Sequence, residues 1–152
     1  GGSAAAVAGG LVPLALAGDG GGSIRRPCAH TGLYGLKPSP GFVARADGLP
    51  PLLGDFETIG VIARSPDDLG VVLSLAAHRH PADRASFAFS DEERSATSAN
   101  GGRRRILYVP AFGDFPVDPE IRESVAGAAR LLERMGHGIE IGEAPFDQIW
   151  MQ

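Results

Sequence analysis

Apolar residues recur at the three- and four-residue spacing of an amphipathic helix in two segments of the chain. The first segment begins at Ser65, a favoured N-cap residue. A proline at the first helical position and two acidic residues at the positive end of the helix dipole follow it. Its apolar side chains are Leu69, Val72, Leu73 and Ala76. The pattern ends near His78, so we predict a helix from residue 66 to about residue 78.

The second helical segment is flanked by two short apolar runs. It starts at Asp118-Pro119-Glu120 and ends at Gly136. Its apolar residues at helical spacing are Ile121, Val125, Ala128, Leu131, Leu132 and Met135. Residues 104–109 before it and 139–141 after it are predicted as short strands. Strand, helix and strand in this order is typical of a parallel βαβ unit, so the pattern predicts an α/β fold with helices flanking a sheet.

The start of the chain is rich in small side chains. Ser3 is predicted to cap a short helix through an alanine run, and Gly9 is predicted to end it. Residues 11–16 are predicted as a short buried strand. A glycine-rich run, residues 18–22, follows that strand directly.

Proline and glycine interrupt the pattern beyond the glycine run. Pro27 is expected to prevent a helix there, because proline lacks the backbone N–H and clashes with the preceding turn. Residues 28–40 are expected to be irregular, and residues 41–54 are expected to form a loop. Residues 81–103 are polar and low in periodic apolar character, so we predict an exposed loop or insert.

Composition narrows the class of protein. The 152 residues are 43% hydrophobic and 21% charged, which is typical of a globular protein. A net charge of −4 provides no basic surface for nucleic acid, and no apolar run is long enough to cross a membrane. Cys28 is the only cysteine, so no internal disulfide forms and a reducing, cytoplasmic location is expected. We expect no metal and no other cofactor.

The sequence GDGGGSIRRP, residues 18–27, allows three interpretations from chemistry alone. It could be a turn between core elements, or an anion cradle aided by two arginines. A phosphate-binding loop is disfavoured, because a P-loop requires a lysine after the glycines and a dinucleotide fingerprint requires different glycine spacing. The third interpretation is a serine nucleophile, Ser23, beside backbone N–H groups that converge on one point, as acyl transfer requires.

Four stretches in order resemble the amidase signature family. They are Gly1-Gly2-Ser3 with its alanine run, Asp19-x-Gly21-Gly22-Ser23-Ile24-Arg25, Gly35-Leu36-Lys37-Pro38 and the GVIARSPDDL of residues 60–69. The extra glycine of the second stretch resembles a subgroup that includes 6-aminohexanoate cyclic-dimer hydrolase. The resemblance implies the amidase signature fold, a mixed sheet flanked by helices. It divides the chain into a core at 1–80, an insert at 81–103 and a βαβ continuation of the same domain at 104–152.

The resemblance also implies a set of site residues. Ser23 matches the nucleophile, and the backbone N–H groups of the three residues before it match the oxyanion hole. Two charged residues match positions that organise the loop. The implied hole residues are Gly20, Gly21 and Gly22, with Ser23 itself as a further donor, and the organising residues are Asp19 and Arg25.

The family activates its nucleophile through a bridging second serine and a lysine. The resemblance places the bridging serine immediately before Gly1 and the lysine further upstream. We therefore expect this chain to be an internal piece of a longer protein and inactive by itself. Ser3 matches a later serine of the motif, and Lys37 matches a packing and hydrogen-bonding residue rather than the catalytic base.

The implied activity is hydrolysis of a carboxamide C–N bond in a small, linear amide through an acyl-enzyme. Two alternatives stay open: a component of a glutamyl-tRNA amidotransferase, and an inactive binding or scaffold relative. His30 leaves a Ser–His pair or a pocket-lining role open, and Cys28 is interpreted as a small packed hydrophobe. The expected partner is a small-molecule amide, with a homodimer left open.

Overall fold

The computed structural model describes residues 1–46, 53–95 and 102–143, which belong to two compact units, Gly1–Ala99 and Asn100–Gln152. The elements of the first unit are α1 (Gly2–Ala8), β1 (Leu14–Asp19), α2 (Arg25–Thr31), β2 (Tyr34–Leu36), β3 (Thr58–Ala63), α3 (Pro66–Ala76) and α4 (Asp91–Ser95). Two short 3₁₀ helices, Gly54–Phe56 and Arg84–Ala88, lie in the same unit. The second unit contains β4 (Arg105–Tyr108), α5 (Pro119–Arg134) and β5 (Gly138–Ile141).

The first unit is organised by an antiparallel sheet in the order β1-β3-β2. The register pairs Leu14 with Ala63 and Asp19 with Thr58, so the end of β1 lies beside the start of β3. Strand β3 is central and its residues from Val61 to Ala63 are buried, as expected for an apolar run with a partner on each edge.

Helices α1 and α2 cover this sheet through a small apolar core. Its buried members are Ala4, Val7, Ile24, Cys28 and Ile62. Strand β2 approaches α2 so closely that a Cβ atom on Gly35 would lie 2.5 Å from the Cys28 sulfur. Position 35 therefore accepts only glycine without displacing the helix that follows the glycine-rich run.

The second unit confirms the predicted βαβ pattern. Strands β4 and β5 pair in parallel, with Arg105 opposite Gly138 and Tyr108 opposite Ile141, and α5 connects them. Asp118 caps α5 by accepting a hydrogen bond from the Glu120 N–H at 2.9 Å. In the first unit, Ser65 caps α3 as predicted, by accepting a hydrogen bond from the Asp68 N–H at 3.2 Å.

Three predictions near the start of the chain are wrong in detail. Ser3 does not cap α1; Gly1 is the N-cap residue and Ser3 lies inside the helix. The strand predicted at 11–16 begins at Leu14 and continues to Asp19, because Pro13 cannot donate to the ladder. The segment predicted as irregular contains β2, which pairs with β3.

The segment 81–103 also differs from the predicted exposed loop over its described residues. A 3₁₀ helix and α4 occupy part of it, and Ser86 and Arg94 are buried. The Arg94 guanidinium donates to the carbonyls of Gly41, Phe42 and Ser86 and lies over the Phe42 and Phe89 rings. These contacts attach the segment to the loop that follows β2.

Candidate active site

The candidate site is the loop from residue 20 to residue 24, between the end of β1 and the start of α2. At Gly22 the backbone adopts φ +106°, a conformation that L side chains rarely adopt. A Cβ atom there would also lie 2.8 Å from Cδ of Arg26. The loop therefore requires glycine at position 22, directly before the serine.

A buried carboxylate holds this loop in shape. Asp19 has no exposed surface, and its two oxygens accept five hydrogen bonds. Oδ1 accepts from the Gly22 N–H at 2.7 Å and from Arg25 Nη2 at 2.9 Å. Oδ2 accepts from the N–H groups of Ile24 and Arg25 at 3.1 and 3.3 Å and from Arg25 Nε at 3.0 Å.

These donors also fix the protonation state of the carboxyl group. The Arg25 guanidinium first, and then the backbone N–H groups, hold the pKa of Asp19 far below its usual range, although burial opposes them. The hydrogen bonds that Arg25 donates to Asp19 raise the pKa of Arg25 in turn. Asp19 is therefore an anion near neutral pH, its charge is matched by Arg25, and the pair organises the turn.

Ser23 follows this turn and is exposed. It lines an open depression of about 250 Å³, together with Gly1, Gly21, Gly22, Arg26, Pro27 and His30. The depression therefore brings together the serine hydroxyl, the backbone of two of the glycines and two polar side chains of α2. A small ligand in this depression would lie against the serine.

The structure changes one predicted oxyanion-hole donor. The Gly22 N–H donates to Asp19, so it is not available to a ligand in this conformation. Within the described part of the chain, the N–H groups of Gly20, Gly21 and Ser23 donate no hydrogen bond. Gly21 and Ser23 are exposed, and Gly20 is half-buried. An oxyanion at this loop would therefore be bound by these N–H groups rather than by that of Gly22.

Three other residues are candidates from the sequence, and they lie in different environments. Cys28 is buried in the core, where burial raises the pKa of its thiol, consistent with a packed hydrophobe. Lys37 is half-buried after β2 and is not among the described residues that line the depression. His30 does line it. Over residues 1–46, 53–95 and 102–143, no group of three His, Cys, Asp or Glu side chains has the arrangement of a metal site.

Sequence reasoning missed helix α2 and, with it, the role of Arg26. Pro27 is predicted to prevent a helix, yet it lies at the third helical position. The first four N–H groups of a helix have no intrahelical partner, so proline costs little there. With α2 formed, Arg26 and His30 are four residues apart and lie on one face, beside Ser23. The sequence signal that could have revealed α2 is Pro27 itself, because a proline is compatible with the first turn of a helix.

Comparison with known proteins identifies the family of this chain. The family model for Amidase matches residues 1–149. A glutamyl-tRNA(Gln) amidotransferase subunit of Shouchella clausii (strain KSM-K16) is 39% identical over 150 residues, which cover 97% of this chain and 31% of that protein. A bacterial aryl acylamidase of the amidase signature family superposes with a TM-score of 0.79 at 32% identity, covering 99% of this chain and 31% of that one.

A third similar protein is 6-aminohexanoate cyclic dimer hydrolase, whose structure is known. It superposes with a TM-score of 0.77 at 28% identity, covering 93% of this chain and 30% of that one. The chain spans about three tenths of the length of these relatives. The likeness confirms the predicted fold class, a mixed α/β architecture of the kind these structures share. Over the described residues, no helix is both long enough and apolar enough to cross a membrane.

Proposed function

This chain belongs to the amidase signature family, and on that premise we propose that it carries the nucleophile of an amidase, Ser23. One observation supports the assignment most strongly. Ser23 is exposed in a depression, directly after a turn at Gly22 that the half-exposed ion pair of Asp19 and Arg25 holds in place. A fixed backbone beside an exposed hydroxyl is the arrangement that acyl transfer requires.

The proposed reaction has two steps. The Ser23 oxygen attacks the carbonyl carbon of a carboxamide, and its proton passes to a base. The C–N bond then breaks, the amine leaves with a proton, and the acyl group remains on Ser23 as an ester. A water molecule attacks this ester, releases the carboxylic acid and restores the hydroxyl.

The N–H groups of Gly21 and Ser23 are proposed to stabilise the oxyanion that forms in each step. Both residues are exposed and neither N–H donates a hydrogen bond among the described residues, and the half-buried Gly20 supplies a third donor. Each donor of this kind contributes about 3 kcal/mol to transition-state stabilisation in acyl-transfer enzymes. The negative charge of Asp19 does not oppose the oxyanion strongly, because Arg25 pairs with it at 2.9 Å.

The base is proposed to be a lysine that acts through a bridging serine; the family resemblance implies both residues and places them before Gly1. His30 is not assigned this role. Ser23 and His30 both line the depression, but no hydrogen bond joins them among the described residues. A nucleophile and its base must approach to about 3 Å.

A substitution at the nucleophile tests the proposal. In the intact protein, Ser23→Ala should abolish release of ammonia from small linear amides, with the folded state unchanged by circular dichroism. Ser39→Ala is the matched control, because Ser39 is an exposed serine that does not line the depression. Amide hydrolysis that survives Ser23→Ala at wild-type rate would refute the assignment.

A second candidate function is supported by the identity of the sequence relatives. Two glutamyl-tRNA(Gln) amidotransferase subunits, from Staphylococcus carnosus and Shouchella clausii, are 36% and 39% identical to this chain, against 32% and 28% for the two hydrolase structures. An amide labelled with ¹⁵N separates the two candidates. A free amidase releases the label as ammonium without other proteins. An amidotransferase component transfers it to glutamyl-tRNA(Gln), and does so only with its partner proteins present.

A further inference from the structure

Arg26 is the one guanidinium in the described part of the Ser23 depression, and the proposed mechanism gives it no role. Its neighbour Arg25 is committed to Asp19 through two side-chain hydrogen bonds. Arg26 has no ion pair and no side-chain hydrogen bond among the described residues. The two consecutive arginines therefore differ: one closes the turn, and the other presents its charge at the depression.

The stem of Arg26 is held beside the nucleophile. Its N–H donates to the Gly22 carbonyl at 2.9 Å, and its Cγ and Cδ pack over Gly22, where a Cβ atom would lie within 3.0 Å of both. An arginine stem anchored at its root samples fewer positions than one free in solvent. The guanidinium is thereby kept within reach of whatever molecule lies against Ser23.

The remaining lining of the depression contributes no negative charge. Within the described residues, the side chains that line it are neutral, basic or absent, and His30 adds a second N–H donor on the same helix face as Arg26. The nearest carboxylate in the sequence, Asp19, is buried and paired with Arg25. An anion in the depression would meet a guanidinium without a competing acid.

We propose that Arg26 is a specificity-determining residue that selects amide substrates carrying a carboxylate. The inference rests on the proposed function of Ser23, because it assigns the substrate class of that same site. Arginine suits this role, since its planar guanidinium donates two parallel hydrogen bonds to a carboxylate. The carboxylate of the substrate pairs with Arg26, and the amide carbonyl lies at Ser23.

Matched substrates test the inference in the intact protein. The monoamides of linear dicarboxylic acids (succinamate, glutaramate and adipamate) are compared with the corresponding diamides, in which a neutral amide replaces the carboxylate at nearly equal size. A second series carries the carboxylate on the amine side of the scissile bond, as N-acetyl-ω-amino acids against N-acetylalkylamines. We expect kcat/KM to favour the anionic member in at least one series, mainly through KM, by about 10- to 100-fold, the range of one charge-assisted hydrogen bond.

Two variants separate the charge of Arg26 from its packing. Arg26→Met keeps an unbranched stem over Gly22 but removes the charge, and should lower the anionic-to-neutral kcat/KM ratio at least tenfold. Arg26→Lys keeps the charge and should restore part of the ratio. Arg84→Met is the matched control, because Arg84 is exposed and lies outside the depression, and it should leave the ratio unchanged.

Two outcomes would overturn the inference. One is the absence of a preference for the anionic member in both series. The other is an equal loss of both activities in Arg26→Met without recovery in Arg26→Lys, which would show that Arg26 only supports the Gly22 turn. Failure of the proposed function is a separate result: amide hydrolysis would then persist in Ser23→Ala, whatever the substrate preference.

Discussion

Replacement of Asp19 by asparagine tests how the nucleophile loop is held. Each oxygen of Asp19 accepts at least two hydrogen bonds, and asparagine can present only one oxygen. In either orientation of the amide, at least two donors would face an NH₂ group. At about 1 kcal/mol for each lost bond, and up to about 1 kcal/mol for the half-exposed ion pair with Arg25, the free energy of unfolding should fall by about 3 kcal/mol.

Urea unfolding of the intact protein measures this loss, with Asp55→Asn as the control. Asp55 is exposed, so its substitution should change the free energy of unfolding by no more than about 0.5 kcal/mol. Because the loop also positions Ser23, Asp19→Asn should slow the acylation of Ser23 by about 100-fold. Equal stability of Asp19→Asn and Asp55→Asn would refute the account of the loop.

The same variant has a defined pH dependence. The pKa of Asp19 is lowered in the folded state, so its contribution to stability is complete above the unfolded-state pKa of about 3.9. It is lost progressively as the pH falls below that value toward the folded-state pKa. The stability difference between wild type and Asp19→Asn should therefore be constant from pH 5 to pH 7, and should shrink as the pH falls from about 4. A difference that grows on acidification would contradict the assigned ionisation.

Two further substitutions test the backbone and the insert. Gly22→Ala places a side chain on a backbone at φ +106° and should lower the free energy of unfolding by about 1–2 kcal/mol. Gly70→Ala is the control: position 70 lies inside α3 with open space around it, so this substitution should cost nothing and can stabilise by up to about 1 kcal/mol. Equal effects in the two urea titrations would refute the claim that an alanine at position 22 is strained. Arg94→Met leaves the carbonyls of Gly41, Phe42 and Ser86 without this donor, so limited proteolysis within residues 81–95 should accelerate at least tenfold relative to the Arg84→Met control. Unchanged cleavage would show that Arg94 does not attach this segment.

Local signals predicted α3, α5 and the βαβ unit well. The cap and proline at Ser65 and at Asp118 identify the starts of α3 and α5, because both signals act within one turn of helix. The parallel pairing of β4 with β5 follows from the intervening helix. The sequence could not show that β1 and β2 both pair with β3, since pairing between distant segments depends on tertiary contacts that no local pattern contains.

The insert contains a local signal that sequence reasoning missed. Ser90 and Glu93 form a capping box: the Ser90 N–H donates to Glu93 Oε2 at 2.7 Å, and the Glu93 N–H donates to Ser90 Oγ at 3.1 Å. These bonds lower the pKa of Glu93 and start α4. The burial of Arg94 could not be predicted in the same way, because its acceptors include carbonyls of residues about fifty positions away.

The sequence also predicted only part of the candidate site. The family resemblance indicated Ser23, Asp19 and Arg25, and the structure places all three in one turn. The use of the Gly22 N–H by Asp19 could not be read from the motif, because a glycine-rich sequence does not specify which N–H groups point inward. Only the folded loop shows that the Gly22 N–H donates to Asp19.

The most direct test of the account is covalent labelling of the nucleophile. The intact protein is treated with a fluorophosphonate probe, digested, and mapped by mass spectrometry. We predict a single stoichiometric adduct on Ser23, absent in Ser23→Ala and slowed in Asp19→Asn. An adduct on a different residue, or labelling that proceeds equally in Ser23→Ala, would contradict the claim that this turn carries the nucleophile.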